Sequence, residues 1–343
     1  MVQGRLEFKT LGGIFSSQGS KRRIELMLKV DELLKYDLDP VPRYLLMRDV
    51  LKLDSKNEKL MFAKNRVLKS KWVNDIIQLQ WEDGSWGQFH SMSKFSQSLI
   101  TTEQALRRLL ILGLDKHDEV IQKALTYMEK YLLGELELRD RKEKKHDWDM
   151  LTRLFVATWV LKIDSSNDLA KEIAKDWAKI ITHGFSGDEY NPKAYKEAYY
   201  EVHKSPKEKH MWGFENFYLV SILIGMLSSD IESKFLDYII NSQNGIYYIH
   251  DRCLKEPTSS FCSKIASRYI NAHELLSSYT CAKLKLEYFI EWVTNNISED
   301  GFWDMGQSVK DKIQFPLSNS WREPINRKID STVRIQRILS ELY

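Results

Sequence analysis

The stretch Gln80-Trp81-Glu82-Asp83-Gly84-Ser85-Trp86-Gly87 follows seven residues, Trp72 to Gln78, that read as the end of an amphipathic helix. A Gln near a helix end can bond the orphan carbonyls there, a Gly can take the left-handed turn, and an aromatic two residues later can pack back across the neighbouring helices. The pattern recurs. Ser298-Glu-Asp-Gly301-Phe-Trp303 carries the same Gly and Trp with Ile297 in the Gln position, and Asn241-Ser-Gln-Asn-Gly245-Ile-Tyr247 carries Asn and Tyr for Gln and Trp. Glycines Gly84, Gly134, Gly187, Gly245 and Gly301 are spaced by 50, 53, 58 and 56 residues, and each interval has room for two helices and a turn.

Between these glycines the apolar residues recur at helical period, as in 102–114, 151–161, 217–227 and 333–342 and, before them, at Ile24, Met27, Leu28, Leu33 and Leu34. Strand signals are scarce. The one Asn-Gly pair, Asn244-Gly245, follows the helical pattern Phe235, Leu236, Ile239, Ile240 instead of joining two alternating runs. The chain therefore reads as all-α, built of about five to six helical hairpins. Residues 1–20 read as a loose lead-in and 21–343 as a single domain, with 188–209 and 304–326 as lid loops.

The motif Gln-x-x-x-Gly-x-Trp resembles the glutamine-tryptophan repeat of the terpenoid-cyclase and protein-prenyltransferase superfamily, matched in full by Gln80, Gly84 and Trp86. The resemblance covers roughly residues 60–343. It implies an α/α toroid, in which an inner ring of helices lines a central cavity and an outer ring runs antiparallel to it. The motif residues are structural in this reading, and the chemistry has to be sought elsewhere.

Composition excludes several functions. With 51 Lys and Arg against 48 Asp and Glu the chain advertises no nucleic-acid surface, and 43% hydrophobic residues with only 22 Gly and Pro describe a folded protein. Cys253, Cys262 and Cys281 cannot pair completely, which points to a reducing compartment and hence the cytoplasm. No apolar run is long enough to cross a bilayer, leaving peripheral membrane contact open. The sequence contains no P-loop, dinucleotide turn, Gly-x-Ser-x-Gly elbow, His-Glu-x-x-His pair or Asp-Asp-x-x-Asp magnesium string, and no cofactor or metal is expected. Asp251 and Cys253 echo the prenyltransferase zinc pattern, but His273, twenty residues after Cys253, is poorly placed to complete a tetrahedron.

If the helix after each Gly-aromatic turn is an inner one, inner helices begin near Thr101-Thr102, His146-Asp147-Trp148-Asp149, His210-Met-Trp212, Arg268-Tyr269-Ile-Asn271 and Arg327-Lys-Ile-Asp330. Polar residues at each start suit helix caps, and in a toroid they converge on one cavity mouth. His146, Asp147 and Asp149 are the catalytic candidates. Class II terpenoid cyclases carry Asp-x-Asp-Asp at a comparable start, where the central Asp protonates an alkene or epoxide; Asp147 and Asp149 match its first and third positions and Met150 replaces the fourth. Asp149 is the expected acid, which requires burial to raise its pKa. Trp148, Trp212, Glu215, Asn216, Tyr269, Asn271, His273, Trp321, Arg322 and Asp330 are the expected binding residues, with Arg327 and Arg334 beside the last loop.

The leading expectation is a terpenoid-cyclase-like protein that encloses a small apolar, isoprenoid-like molecule among aromatic faces suited to positive charge. Two alternatives remain open: a non-catalytic binding or scaffold toroid, which the Met150 departure favours, and a carbohydrate-active α/α barrel using Asp149 and Glu215 as acid and base.

Overall fold

A computed structural model describes residues 30, 32–90, 100–206, 208–309 and 316–343. The lead-in 1–20, the apolar residues Ile24, Met27 and Leu28, and 310–315 of the last loop lie outside the described residues. Fourteen α-helices and no strands make up the described chain, with isolated bridges the only extended pairings. The protein is all-α.

The helices fall between the glycines as hairpins. Three precede Gly84: α1 (Pro40–Leu45, continued by the π turn Leu46–Val50), α2 (Glu58–Leu68) and α3 (Lys71–Ile77). Then come α4 (Thr102–Ile111) and α5 (Glu119–Leu132), followed by α6 (Trp148–Ile163) and α7 (Asp168–Gly184). An extra helix, α8 (Pro192–His203), precedes α9 (Phe217–Ile222) and α10 (Ser229–Asn241). Last are α11 (Lys264–Leu276), the short α12 (Ala282–Lys285), α13 (Glu287–Asn295) and α14 (Pro324–Leu342).

Burial separates two kinds of helix. α6 is apolar nearly all round, with Leu151, Leu154, Phe155, Val156, Ala157, Trp159 and Val160 all buried, as a helix enclosed by others must be. α7 buries a single stripe, Ala170, Ala174, Trp177, Ala178 and Ile181, and turns its charged residues outward. α14 is enclosed like α6. The enclosed helices touch in sequence: α4 packs on α6, α6 on α9, α9 on α11, α11 on α14, and α14 on α1 and its π turn. At the end of α4, Gly113 (φ +97°) lies against Tyr44 and Leu45 of α1, and its carbonyl accepts a 2.8 Å bond from the Arg48 Nη1.

Two of the glycine-aromatic turns are the same structure. The Trp86 indole N–H donates to the Ile76 carbonyl at 2.8 Å, and that of Trp303 to the Val293 carbonyl at 2.7 Å. The main-chain N–H of each Trp then donates to a threonine hydroxyl in the next enclosed helix, Trp86 to Thr102 at 3.0 Å and Trp303 to Thr332 at 3.1 Å. Gln80 Nε2 donates at 2.9 Å to both the Gly84 and Val120 carbonyls, tying the first turn to α5. Gly84 is irreplaceable on two counts: its φ is +90°, and an added Cβ would lie 2.3 Å from the Lys123 carbonyl oxygen.

The structure departs from the expected repeat in several places. In the turn at Gly245, Ile246 is the buried residue and Tyr247 is exposed, so the aromatic staple is absent there. Gly134 adopts the left-handed conformation just after α5, but Gly187 does not. α9 begins at Phe217, five residues after Trp212, and α11 begins at Lys264, so Tyr269 and Asn271 lie within the helix, away from its start. The segment 188–209, expected as a lid, holds α8, which packs on α7 through the fully buried Tyr195 and Tyr199.

Trp86→Ala and Trp303→Ala are each expected to cost about 3–5 kcal/mol, the usual loss for a buried Trp. Trp86→Phe, which keeps an aromatic ring but removes the indole donor to the Ile76 carbonyl, is expected to cost less. Urea midpoints at constant slope measure all three; an Ala variant within error of wild type would rule out the staple.

Candidate functional site

The site begins with the cap of α4. Thr101 Oγ1 accepts from the Gln104 N–H at 3.3 Å while the Gln104 side chain reaches back to the Thr101 N–H, a reciprocal capping box that fixes the first turn. Thr102 is held by the Trp86 N–H, and the next residue, Glu103, is buried at 7% exposure. His90 is positioned by Asp140, whose two oxygens accept the Phe89 and His90 N–H groups at 2.6 and 2.7 Å. Tyr218 comes from the first turn of α9, where the Asn216 side chain caps the Tyr218 and Leu219 N–H groups.

These three side chains meet. His90 Nδ1 lies 2.8 Å from Glu103 Oε2, and the Tyr218 hydroxyl lies 2.8 Å from both Glu103 oxygens and from His90 Nδ1. Arg107, one turn along α4, approaches Glu103 at 3.5 Å. Burial pushes the Glu103 pKa up, but the hydrogen bonds from His90 and Tyr218 and the charges of His90 and Arg107 outweigh it, and the net shift is downward. With His90 charged, that balance favours the ionised carboxylate. Burial and the Glu103 charge push the Tyr218 phenol well up, so it remains a donor.

Aromatic rings wall this cluster. Phe155 lies 4.6 Å from the His90 ring and 4.1 Å from Tyr218, Trp148 lies 6.4 Å from His90, and Tyr248 lies 5.9 and 5.7 Å from His90 and Tyr218. Tyr248 has φ +74°, a strained conformation for a bulky residue.

The residues singled out from the sequence are dispersed around this centre. Asp147 is the cap of α6, its Oδ1 accepting from the Met150 N–H at 3.3 Å and its Oδ2 from the Ser205 hydroxyl at 3.2 Å. Asp149 is exposed and pairs with Lys142 at 3.1 Å, so it lacks the burial that an alkene-protonating acid needs. His146 bonds Glu143 at 2.8 Å and lies 5.0 Å from the Trp212 ring. Of the candidates, Trp148 meets the His90 ring, Asn216 accepts from the Tyr218 N–H, and Trp212 lies 6.2 Å from Phe155 of the aromatic wall. Glu215 accepts from the Ser242 hydroxyl and, at 3.4 Å, from Asn244.

The remaining candidates belong to two buried networks. Tyr269 and His273 lie in the core of α11; His273 Nδ1 contacts the Tyr269 carbonyl at 2.8 Å, its Nε2 contacts the Tyr288 hydroxyl at 3.0 Å, and the ring stacks on Phe289 at 4.2 Å. Asn271 is half-buried beside them. Asp330 is fully buried and anchors the last loop, accepting from the Leu317 N–H at 2.8 Å, the Ser318 N–H and hydroxyl, and the Trp321 indole at 2.6 Å. Arg322 is exposed on that loop. Cys253 points its thiol at the Ile240 carbonyl, and among the described residues no three His, Cys, Asp or Glu side chains converge on a metal position.

Partly buried charges also meet where these helices adjoin. Arg337 of α14 pairs with Asp49 of the π turn after α1 at 2.6 Å and approaches Glu274 of α11 at 3.5 Å. Asp49, Glu274 and Arg337, with Ser277, Ser278, Ile338 and Glu341, line a cavity of about 200 Å³. No described helix is long and apolar enough to cross a membrane. Comparison of the chain with protein-family models, with curated proteins and with solved structures finds no match.

Two buried histidines give the protein an acid limb. Desolvation lowers the pKa of His250 to about 4 and of His273 to about 3, so both are neutral in the folded protein. As pH falls below about 6.5 the unfolded chain takes up these protons and the folded one does not, so stability is lost progressively towards those folded values. Between pH 7 and 5 each is expected to cost about 2 kcal/mol. Urea unfolding at both pH values checks this; His250→Asn and His273→Asn should each flatten the decline, and an unchanged decline in both would refute it.

Proposed function

We propose that the enclosed helices form an α/α toroid and that its centre is a chamber for a small molecule with an apolar, isoprenoid-like body, at which His90, Glu103 and Tyr218 handle a proton. The observation that carries this reading is the meeting of those three side chains, drawn from a loop and two helices, in one hydrogen-bonded cluster against Phe155, Trp148 and Tyr248. The succession of helix contacts from α4 through α14 to α1, with the end of α4 against α1, supports the ring.

The chemistry follows from the ionised carboxylate. With Nδ1–H donating to Glu103, the His90 Nε2 carries the lone pair, and the carboxylate stabilises the imidazolium formed when Nε2 takes a proton. Tyr218, a phenol kept protonated, is the complementary donor. This arrangement suits removal of a proton from a substrate carbon or hydroxyl, or from a cation held against the aromatic faces. It does not suit protonation of an alkene, which needs a neutral carboxylic acid. Acid initiation by Asp149 is accordingly replaced in this proposal by base chemistry at His90. The carbohydrate-active alternative asks Asp149 and Glu215 to face one cleft; Asp149 is instead paired with Lys142 and Glu215 tied to Ser242 and Asn244.

Native mass spectrometry with added farnesol tests the chamber, and extraction of the purified protein tests for a retained ligand. Wild type is expected to bind farnesol, Phe155→Ser to bind it about tenfold more weakly through loss of buried apolar contact, and Glu103→Gln to retain it. Any retained ligand should be converted by wild type and persist unchanged in Glu103→Gln. A wild-type protein that holds no apolar molecule would sink the chamber and leave a scaffold role.

A further inference from the structure

Lys162, in the last turn of α6, is placed unlike an ordinary surface lysine. Its side chain keeps accessible surface, yet protein surrounds it so closely that desolvation lowers its pKa to about 8, the charge of Glu274 opposing and that of Arg107 adding to the shift. Among the described residues it makes no ion pair.

A second cation approaches the same ring. The Lys162 Nζ lies 5.7 Å from the centroid of the Phe217 ring, and the Arg107 guanidinium carbon lies 4.8 Å from the same centroid and 5.6 Å from that of Trp159. Aromatic faces attract each cation, but two like charges drawn to one ring repel, the more strongly where water is sparse. The neighbouring carboxylates are engaged elsewhere. Glu103 is bonded by His90 and Tyr218 and reaches Arg107 at only 3.5 Å, while Glu274 approaches Arg337. An anion set between Lys162 and Arg107 would relieve the repulsion and accept from both, and a guanidinium fork with an ammonium matches the geometry of a carboxylate or phosphate.

We infer that Lys162 and Arg107, gathered on the ring of Phe217, form the seat for an oxyanion head, a carboxylate or a phosphate, on the small molecule whose apolar body the aromatic wall receives. The inference rests on the chamber proposed above for the body and adds the class of the head. Arg107 connects the two regions, since it touches Glu103 on one side and Phe217 on the other. The ligand is then an amphipathic anion, whose head lies at the end of α6 and whose chain runs towards Phe155 and His90.

Calorimetric titration of the full chain with dodecanoate, dodecyl phosphate and dodecanol tests this. At least one anion is expected to bind about tenfold or more tightly than the alcohol, the worth of a charge-assisted contact. The tighter of the two anions identifies the head. Lys162→Gln should abolish the preference with the affinity for dodecanol unchanged, and Lys162→Arg, which keeps the charge, should restore most of it. Unchanged dodecanol binding in Lys162→Gln also shows that the variant is folded. Equal binding of alcohol and anions, or a preference that survives Lys162→Gln, would overturn the anion seat while leaving the chamber intact; no binding of any of the three would overturn both.

Discussion

The bonds made by two tryptophans set the register of the molecule. The indole of Trp86 satisfies the Ile76 carbonyl in the last turn of α3, and that of Trp303 satisfies the Val293 carbonyl in the last turn of α13. Each of those carbonyls also accepts a 3.1 Å bond from a main-chain N–H at the helix end, Leu79 for Ile76 and Asn296 for Val293, so the indole uses the second lone pair in a place that the packing closes to water. The same residue then commits its main-chain N–H to Thr102 or Thr332 in the helix that follows. One residue thus joins the end of one hairpin, through its indole, to the beginning of the next, through its main chain. Because Glu103 comes directly after Thr102, whatever holds Trp86 also holds the buried carboxylate in place.

A comparable economy governs the polar groups of the interior. Asp140 and Asp330 both spend a carboxylate on two successive main-chain N–H groups, Phe89 and His90 in one case, Leu317 and Ser318 in the other. Each fixes a loop lying against an enclosed helix. The two differ in what they leave available. Asp330 also receives the Trp321 indole and the Ser318 hydroxyl, which closes its network on itself. Asp140 presents His90 to Glu103 and Tyr218, so the loop it holds delivers a titratable ring to a buried carboxylate.

How much of this the sequence discloses depends on the range of the interactions. Helices, and the equivalence of the turns at Gly84 and Gly301, are legible because a helix end, a left-handed Gly and an aromatic are joined over a few residues. The failure at Gly245 is also local in cause: Ile246 supplies the buried side chain and leaves Tyr247 outside. The cluster of His90, Glu103 and Tyr218 is not legible. Tyr218 is 115 residues from Glu103 and 128 from His90. Glu103 alone reads as an ordinary acidic residue in a helical first turn, which the dipole favours anyway. The one available signal is that it follows a Thr-Thr pair after the full motif. Asp149 misleads for the same reason, since a carboxylate in a first turn is as readily solvated as buried, and its neighbour Asp147 already serves as the cap.

The charged side chains near the proposed chamber bear on what it would hold. A chamber meant only for hydrocarbon would gain nothing from Lys162 or from the partly buried Arg107, Arg337 and Asp49, which lose hydration as protein packs around them. Two of these costs are visibly offset, since Arg337 is paired with Asp49 and lies close to Glu274. Arg107 is offset in part, by Glu103 and by the faces of Trp159 and Phe217. Lys162 has only the Phe217 ring and the more distant field of Glu274. A cation that loses hydration beside an aromatic ring costs stability that no ion pair among the described residues offsets. It becomes intelligible if the missing compensation arrives with the ligand, in which case the energy withheld from folding is available for binding.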